Sequence, residues 1–218
     1  MRDSGDGRIS EMTDLGYVRL HQSPRQESDP VHEVTNQTSR EAELAELHGR
    51  IAELERRCTE LDRLAHHDTL VPVPNRRGFL RQLEMTIARL KRYKDPAAVL
   101  FVDLDGLKIL NDCFGHSAGD AALVHVAAHL TRGVRVSDTV GRLGGDEFAV
   151  LLDHACEDTA METAERLIEA IAGDEFIIDD YDIPLSVTIG FTLIEVDDTP
   201  AAILARADAA MYQGKAAA

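Results

Sequence analysis

The 218 residues carry 39 Asp and Glu against 23 Lys and Arg, a formal net charge of -16, which argues against generic nucleic-acid binding because that rests on cations meeting phosphates. The apolar share of 44% is enough for a packed core, and with no Trp and few aromatics that core must be mostly aliphatic. No window approaches the ~18 apolar residues of a membrane span, the first residues hold no signal-type apolar stretch, and Cys58, Cys113 and Cys156 show no metal or redox spacing, so a reduced cytoplasmic protein with no membrane segment is expected.

Residues 1–40 are polar and carry both signs of charge, with Leu15, Val18 and Leu20 scattered and Pro24 and Pro30 interrupting. Such a stretch cannot bury enough to offset its ordering entropy, so a disordered or weakly ordered segment is expected. Residues 41–67 change character. Leu44, Ile51, Cys58 and Ala65 fall at heptad a positions, and Leu47, Leu54 and Leu61 at d. The g positions are Glu43, Arg50 and Arg57, and the e positions are His48, Glu55 and Asp62. In a parallel dimer Arg50 would face Glu55 of the partner subunit, and Arg57 would face Asp62 of the partner subunit. Both pairs are opposite in sign, so a parallel coiled-coil stalk over 41–67 is expected, with Ser39 as a candidate cap and an amphipathic helix packed on its own domain as the alternative.

Residues 68–218 alternate helical and strand patterns, as an α/β or α+β domain does. Helices are expected over Arg76–Tyr93, Gly119–Gly133, Thr159–Ala172 and Pro200–Tyr212. The apolar run Ala97–Asp103 reads as a buried strand, and Leu185–Ile194 as an alternating one. Val140–Leu143 and Phe148–Leu152 are short strands joined by Gly-Gly-Asp-Glu, a hairpin signature.

Two acidic groups stand out. Asp103 and Asp105 follow the buried run, and Asp146 and Glu147 sit in the glycine turn. Acidic side chains at the end of a buried strand are unfavourable without compensation, and converging carboxylates are relieved by a divalent cation. Hard oxygen ligands suit Mg²⁺, which also accepts substrate phosphates. Lys108, Asn111 and Asp120 lie nearby in the chain.

At these residues the chain resembles the GGDEF family of diguanylate cyclases. Gly144-Gly145-Asp146-Glu147-Phe148 spells the family signature, and Asn75–Phe79, Asp103–Asp112, Phe114–Asp120, Ser137–Leu152, Ser186–Thr192 and Ala207–Tyr212 occur in the family's order and spacing. The resemblance covers about residues 68–216. It implies a fold like the palm of nucleotide cyclases and polymerases: a central, mostly antiparallel sheet wrapped by helices. The implied reaction joins two GTP molecules into cyclic di-GMP with release of two pyrophosphates, between two domains that face each other.

The resemblance also implies site roles. Asp103, Asp146 and the carbonyl of Leu104 match the family's metal ligands, with two Mg²⁺ per site and Mn²⁺ as an alternative. Glu147 matches a second acidic residue, either metal ligand or general base. Asn111 and Asp120 match guanine readers, since a carboxylate accepts from both N1–H and the exocyclic amine of guanine. Lys108 and Lys215 match phosphate contacts, and the backbone at Gly106 and Leu107 would line the phosphates. His116 either shapes the pocket or serves the fold. Arg135 and Asp138 form an RxxD pair, with Thr139–Leu143 between it and Gly144, where the family binds cyclic di-GMP as allosteric inhibitor. Arg166 is either a second-subunit contact at that site or a solvated helix residue.

Val71-Pro72 stands where the family has Thr-Gly, in the stretch that joins stalk and domain. His125 and His129 are four apart on a helix, but no third metal ligand is evident in the chain, and core or surface histidines are expected. The expected protein is therefore a dimeric cyclase with GTP as substrate and cyclic di-GMP as product. The rival is a degenerate module that binds product or GTP without catalysis, and the intact Asp103, Asp146, Glu147, Asn111 and Asp120 speak against it.

Overall fold

A computed structural model describes residues 30–217. The chain divides into two compact units, one up to Ala52 and one from Glu53. Helix α1 (Pro30–His66) contains that division. It starts ahead of the expected span 41–67, so Ser39 lies inside the helix rather than at its cap. Proline favours a first helical position because the N–H it lacks has no partner there. The part of the segment 1–40 that precedes Pro30 lies outside the described residues.

The second unit continues with α2 (Arg76–Tyr93), β1 (Ala97–Leu104), α3 (Leu107–Phe114), α4 (His116–Arg132), β2 (Thr139–Gly144) and β3 (Glu147–Asp153). Then come α5 (Glu157–Ala172), the two-residue strands β4 (Ile177–Ile178) and β5 (Tyr181–Asp182), β6 (Val187–Leu193) and α6 (Pro200–Ala217). Four strands form one antiparallel sheet in the order β2-β3-β1-β6, and β4 pairs with β5 separately. No described helix is long and apolar enough to cross a membrane.

β1 is central, and its unbroken apolar run is explained by cover on both faces. Ala98, Leu100, Val102 and Leu104 pack with Leu123, Val126 and Leu130 of α4 and Leu167 and Ile171 of α5. Ala97, Val99 and Phe101 alternate to the other face and meet Phe79, Leu83 and Ile87 of α2 with Ile203, Leu204 and Ala207 of α6. Phe79 and Leu83 are fully buried, so truncating either to Ala would cost about 2–5 kcal/mol.

Asn75 joins α1 to this layer. Its Oδ1 accepts from Gly78 N–H at 3.0 Å and caps α2, while its Nδ2 donates to the carbonyls of Ala65 and His67, both at 3.1 Å. Val71 and Val73 of the unusual junction are buried in the α4–α5 side of the core. Valine thus supplies apolar contact there, and Pro72 stays exposed.

Candidate active site

The register of β1 and β3 sets Asp103 directly opposite Glu147. Opposed residues of an antiparallel pair share a face. Here it is the face of Phe101 and Ala149, covered by α2 and α6. Leu104 N–H donates to Asp146 O at 3.1 Å and fastens the β2–β3 turn to the end of β1. The two acidic groups, remote in sequence, therefore meet at one end of the sheet.

Gly144 pairs with Glu147, which leaves Gly145 and Asp146 as the tip of the turn. Gly145 has φ +49, in the left-handed region that tight hairpins need and glycine adopts without strain. Arg142 holds this tip. Its Nη2 and Nε donate to Gly145 O at 2.7 and 3.1 Å, and its Nη1 reaches Asp68 Oδ1 at 3.2 Å. The same Asp68 oxygen accepts the N–H groups of Leu70 and Val71 at 2.9 and 3.1 Å. One guanidinium thus ties the acidic turn to the junction loop below α1.

Burial lifts the pKa of Glu147 above its ordinary value, and the charges of Asp146, Asp208 and Asp103 lift it further, against Arg76. Asp208, on α6, was not singled out from the sequence beyond its place in the segment Ala207–Tyr212. Glu147 and Asp208 line a cleft of about 530 Å³ with Arg76 and Glu84. Carboxylates crowded so that one of them resists ionisation are the donor set that a hard divalent cation relieves, so these residues fit Mg²⁺ or Mn²⁺.

The two aspartates after β1 part company. Asp105 accepts from Ser186 Oγ at 3.1 Å and from Thr188 Oγ1 at 3.0 Å. It braces β6 to the loop, while Asp103 joins the acidic turn. Next in the chain, Gly106 precedes α3, whose first turn carries Leu107 and the exposed Lys108. Helix N-termini present free N–H groups and suit anions.

Asn111, one turn further, meets the start of α4. A β-carbon at Gly119 would collide with Asn111 Oδ1, so the bare glycine admits the amide, and Asp120 follows it on the exposed side. Asn111 Oδ1 is buried with no hydrogen-bond partner among the described residues. His116 is exposed in the first turn of α4. The side chain of Lys215 lies outside the described residues.

Arg135, Asp138 and Arg166 line a second cleft of about 210 Å³, together with Arg132, His154 and Thr163. Asp138 Oδ2 accepts Arg135 N–H at 2.9 Å and its Oδ1 accepts Asp153 N–H at 3.0 Å, which shapes the turn and anchors it to β3. Arg166 Nη1 donates to Gly133 O at 2.6 Å. Three arginines line one concavity.

Residues 65–218 match the family described as diguanylate cyclase, GGDEF domain. The chain is 40% identical over 174 residues to the diguanylate cyclase TpbB of Pseudomonas aeruginosa, covering 79% of this chain and 40% of that protein. It is 36% identical over 157 residues to the response regulator PleD of Caulobacter vibrioides, covering 70% of this chain and 34% of PleD. The chain thus spans well under half the length of these relatives. Among solved structures, a truncated TpbB comprising only the GGDEF domain superposes with TM-score 0.66 at 41% identity, covering 70% of this chain and 90% of that one. The coiled coil and GGDEF domain of DgcB from Caulobacter crescentus, solved with c-di-GMP, superposes with TM-score 0.77 over 82% of this chain and 95% of that one. At 24% identity that likeness concerns the fold.

Proposed function

Because the chain belongs to the GGDEF-domain family of diguanylate cyclases, we propose that it condenses two GTP molecules into cyclic di-GMP. The observation that carries this reading is the register that sets Asp103 opposite Glu147, with Asp146 fastened beside them. Asp103, Asp146, Glu147 and the Leu104 carbonyl would hold two Mg²⁺ ions, which supply neutralisation of the triphosphate and a lower pKa for the attacking hydroxyl.

The other groups position the nucleotide. The N–H groups opening α3 at Gly106 and Leu107, with Lys108, cradle the phosphates. Asn111 and Asp120 would read guanine, with the Asp120 carboxylate accepting from N1–H and the exocyclic amine, a pattern that adenine does not offer. In each half-reaction the 3′-oxygen of one GTP bonds to the α-phosphorus of the other. The α–β phosphoanhydride bond breaks, pyrophosphate leaves, and the hydroxyl proton passes to a base or to water.

Two half-sites must meet, and α1 is the element suited to bring them together. Its heptad leucines are solvent-exposed in the single chain, Leu47 at 44% and Leu54 at 58%. Pairing that seam in a parallel homodimer would bury it and raise the effective concentration of one domain at the other. Product inhibition belongs to the cleft of Arg135, Asp138 and Arg166, where guanidinium groups pair with phosphate and guanine edges.

The test is turnover. Purified protein with GTP and Mg²⁺, resolved by chromatography, should yield cyclic di-GMP at a rate that slows as product accumulates, and Arg135→Ala should remove the slowing. GTP that is bound but unconverted by a dimeric preparation would replace the enzyme with a receptor.

A further inference from the structure

Helix α4 carries His125 and His129 on adjacent turns of one face. The fold brings Asp174, just past the end of α5, onto this pair. Asp174 Oδ2 lies 2.8 Å from His129 Nε2 and 3.4 Å from His125 Nε2. The imidazole rings lie 4.6 Å apart, and Phe176 packs edge-on against His125 at 5.2 Å and fixes its tilt. One donor atom from each of the three residues falls within 4.8 Å of the other two.

The protein's own hydrogen bonds do not satisfy this cluster. His125 Nε2 is buried and has no hydrogen-bond partner among the described residues, because its approach to Asp174 is a charge contact only. His129 Nε2 faces both Asp174 Oδ2 at 2.8 Å and Arg132 Nη2 at 3.1 Å. The first contact needs a proton on that nitrogen and the second needs its lone pair, so both cannot hold at once. A cation answers both conflicts by taking the lone pairs of the two imidazoles and one carboxylate oxygen. Tetrahedral zinc, with bonds of about 2.0–2.1 Å, sets neighbouring donors roughly 3.3 Å apart, against 2.8 and 3.4 Å from the Asp174 oxygen to the two imidazole nitrogens.

We propose that His125, His129 and Asp174 form a binding site for a first-row divalent cation, zinc above all, distinct from the carboxylate cluster of the active site. Imidazole nitrogen suits zinc, whereas the all-oxygen cluster suits magnesium, so the two sites sort their metals by donor chemistry. Three protein ligands leave the fourth position to water, and the exposed Arg132 turns outward when the ion enters. The ion clips α4 to the segment following α5. Its role is to stiffen the helix whose first turns carry His116 and Asp120.

The test uses the full chain without an affinity tag, stripped with a chelator and returned to excess Mg²⁺ so that the carboxylate cluster is occupied. One zinc per chain should be retained after gel filtration. The melting temperature should rise by roughly 5 °C with free zinc about a hundredfold above its Kd. Asp174→Asn, on an exposed loop position, and His129→Gln should melt normally without zinc yet lose both the retained ion and the shift. Cobalt should give the visible bands of a tetrahedral site in the parent protein and not in Asp174→Asn. Zinc uptake equal in parent and variants, or a melting temperature indifferent to zinc, would overturn the proposal. Cyclic di-GMP synthesis is read separately, since the cyclase reading stands on other residues.

Discussion

Where β1 ends and β3 begins, Glu147 lies half-buried near Asp103, Asp146 and Asp208, and its pKa is lifted first by burial and then by those like charges. At the start of α6, Asp198 receives Nη1 and Nη2 of Arg206 at 2.6 and 2.7 Å, and that pairing drives its pKa down. Asp68 is treated in the same way as Asp198. Burial pushes its pKa up, but the N–H groups of Leu70 and Val71 and the Arg142 guanidinium outweigh it, and the net shift is downward. One residue type thus serves two ends. Where a carboxylate holds the fold together it is supplied with donors, and where carboxylates crowd one another at the end of the sheet one of them resists ionisation.

Replacing one acid in each region separates the two roles. Glu147→Gln should lower turnover on the order of a thousandfold. The same change should raise the melting temperature of chelator-treated protein by about 2 °C, because an uncharged amide is buried more easily and repels no neighbour. A lower melting temperature with lost turnover would make Glu147 a structural acid and dissolve the contrast. Arg206→Ala acts in the opposite sense. Asp198, whose side chain is 8% exposed, would lose its counter-charge, and the fold should weaken by about 3 kcal/mol, or roughly 6–12 °C in melting temperature. Turnover well below the new melting point should stay within severalfold of the parent, since Arg206 lies outside the acidic cleft.

The crowded region was the more legible of the two in the sequence, because its members cluster in short segments. Asp103 ends an apolar run, and Asp146 and Glu147 sit beside paired glycines that announce a turn. β1 could be read because both of its faces are covered, which makes the run continuous. Helix α3 could not: it has eight residues and only Leu110 is buried, too little for a period to register. The two-residue strands β4 and β5 carry no pattern at all. Asp208 reads as any acid on a helix, and only the packing of α6 against the sheet gives it Glu147 as a neighbour. Asp174 was hidden in the same way, since nothing near His129 in the chain points to it. Asp103 and Asp105 look equivalent in the sequence, and the hydroxyls of Ser186, just before β6, and Thr188, within it, tell them apart.

The smallest expected effect gives the finest test, because the two regions must respond to pH with opposite signs. Asp198 has a folded pKa below its ordinary 3.8, so its pairing contributes full stability above that value, and the contribution fades as pH falls through the folded pKa. The stability gap between the parent and Arg206→Ala should therefore be widest near neutrality and narrow below about pH 4. Glu147 has a folded pKa above its ordinary 4.5, so the fold favours its protonated form. Its contribution is present at low pH and is lost as pH rises past 4.5 and through the folded value. In chelator the advantage of Glu147→Gln over the parent should be absent in acid and emerge as Glu147 ionises. Thermal melts of the three proteins across the acid range measure both gaps together. An advantage of Glu147→Gln that is constant with pH would mean the amide stabilises by packing alone, and the repulsion inferred from the crowding of Asp103, Asp146 and Asp208 would have no energetic consequence.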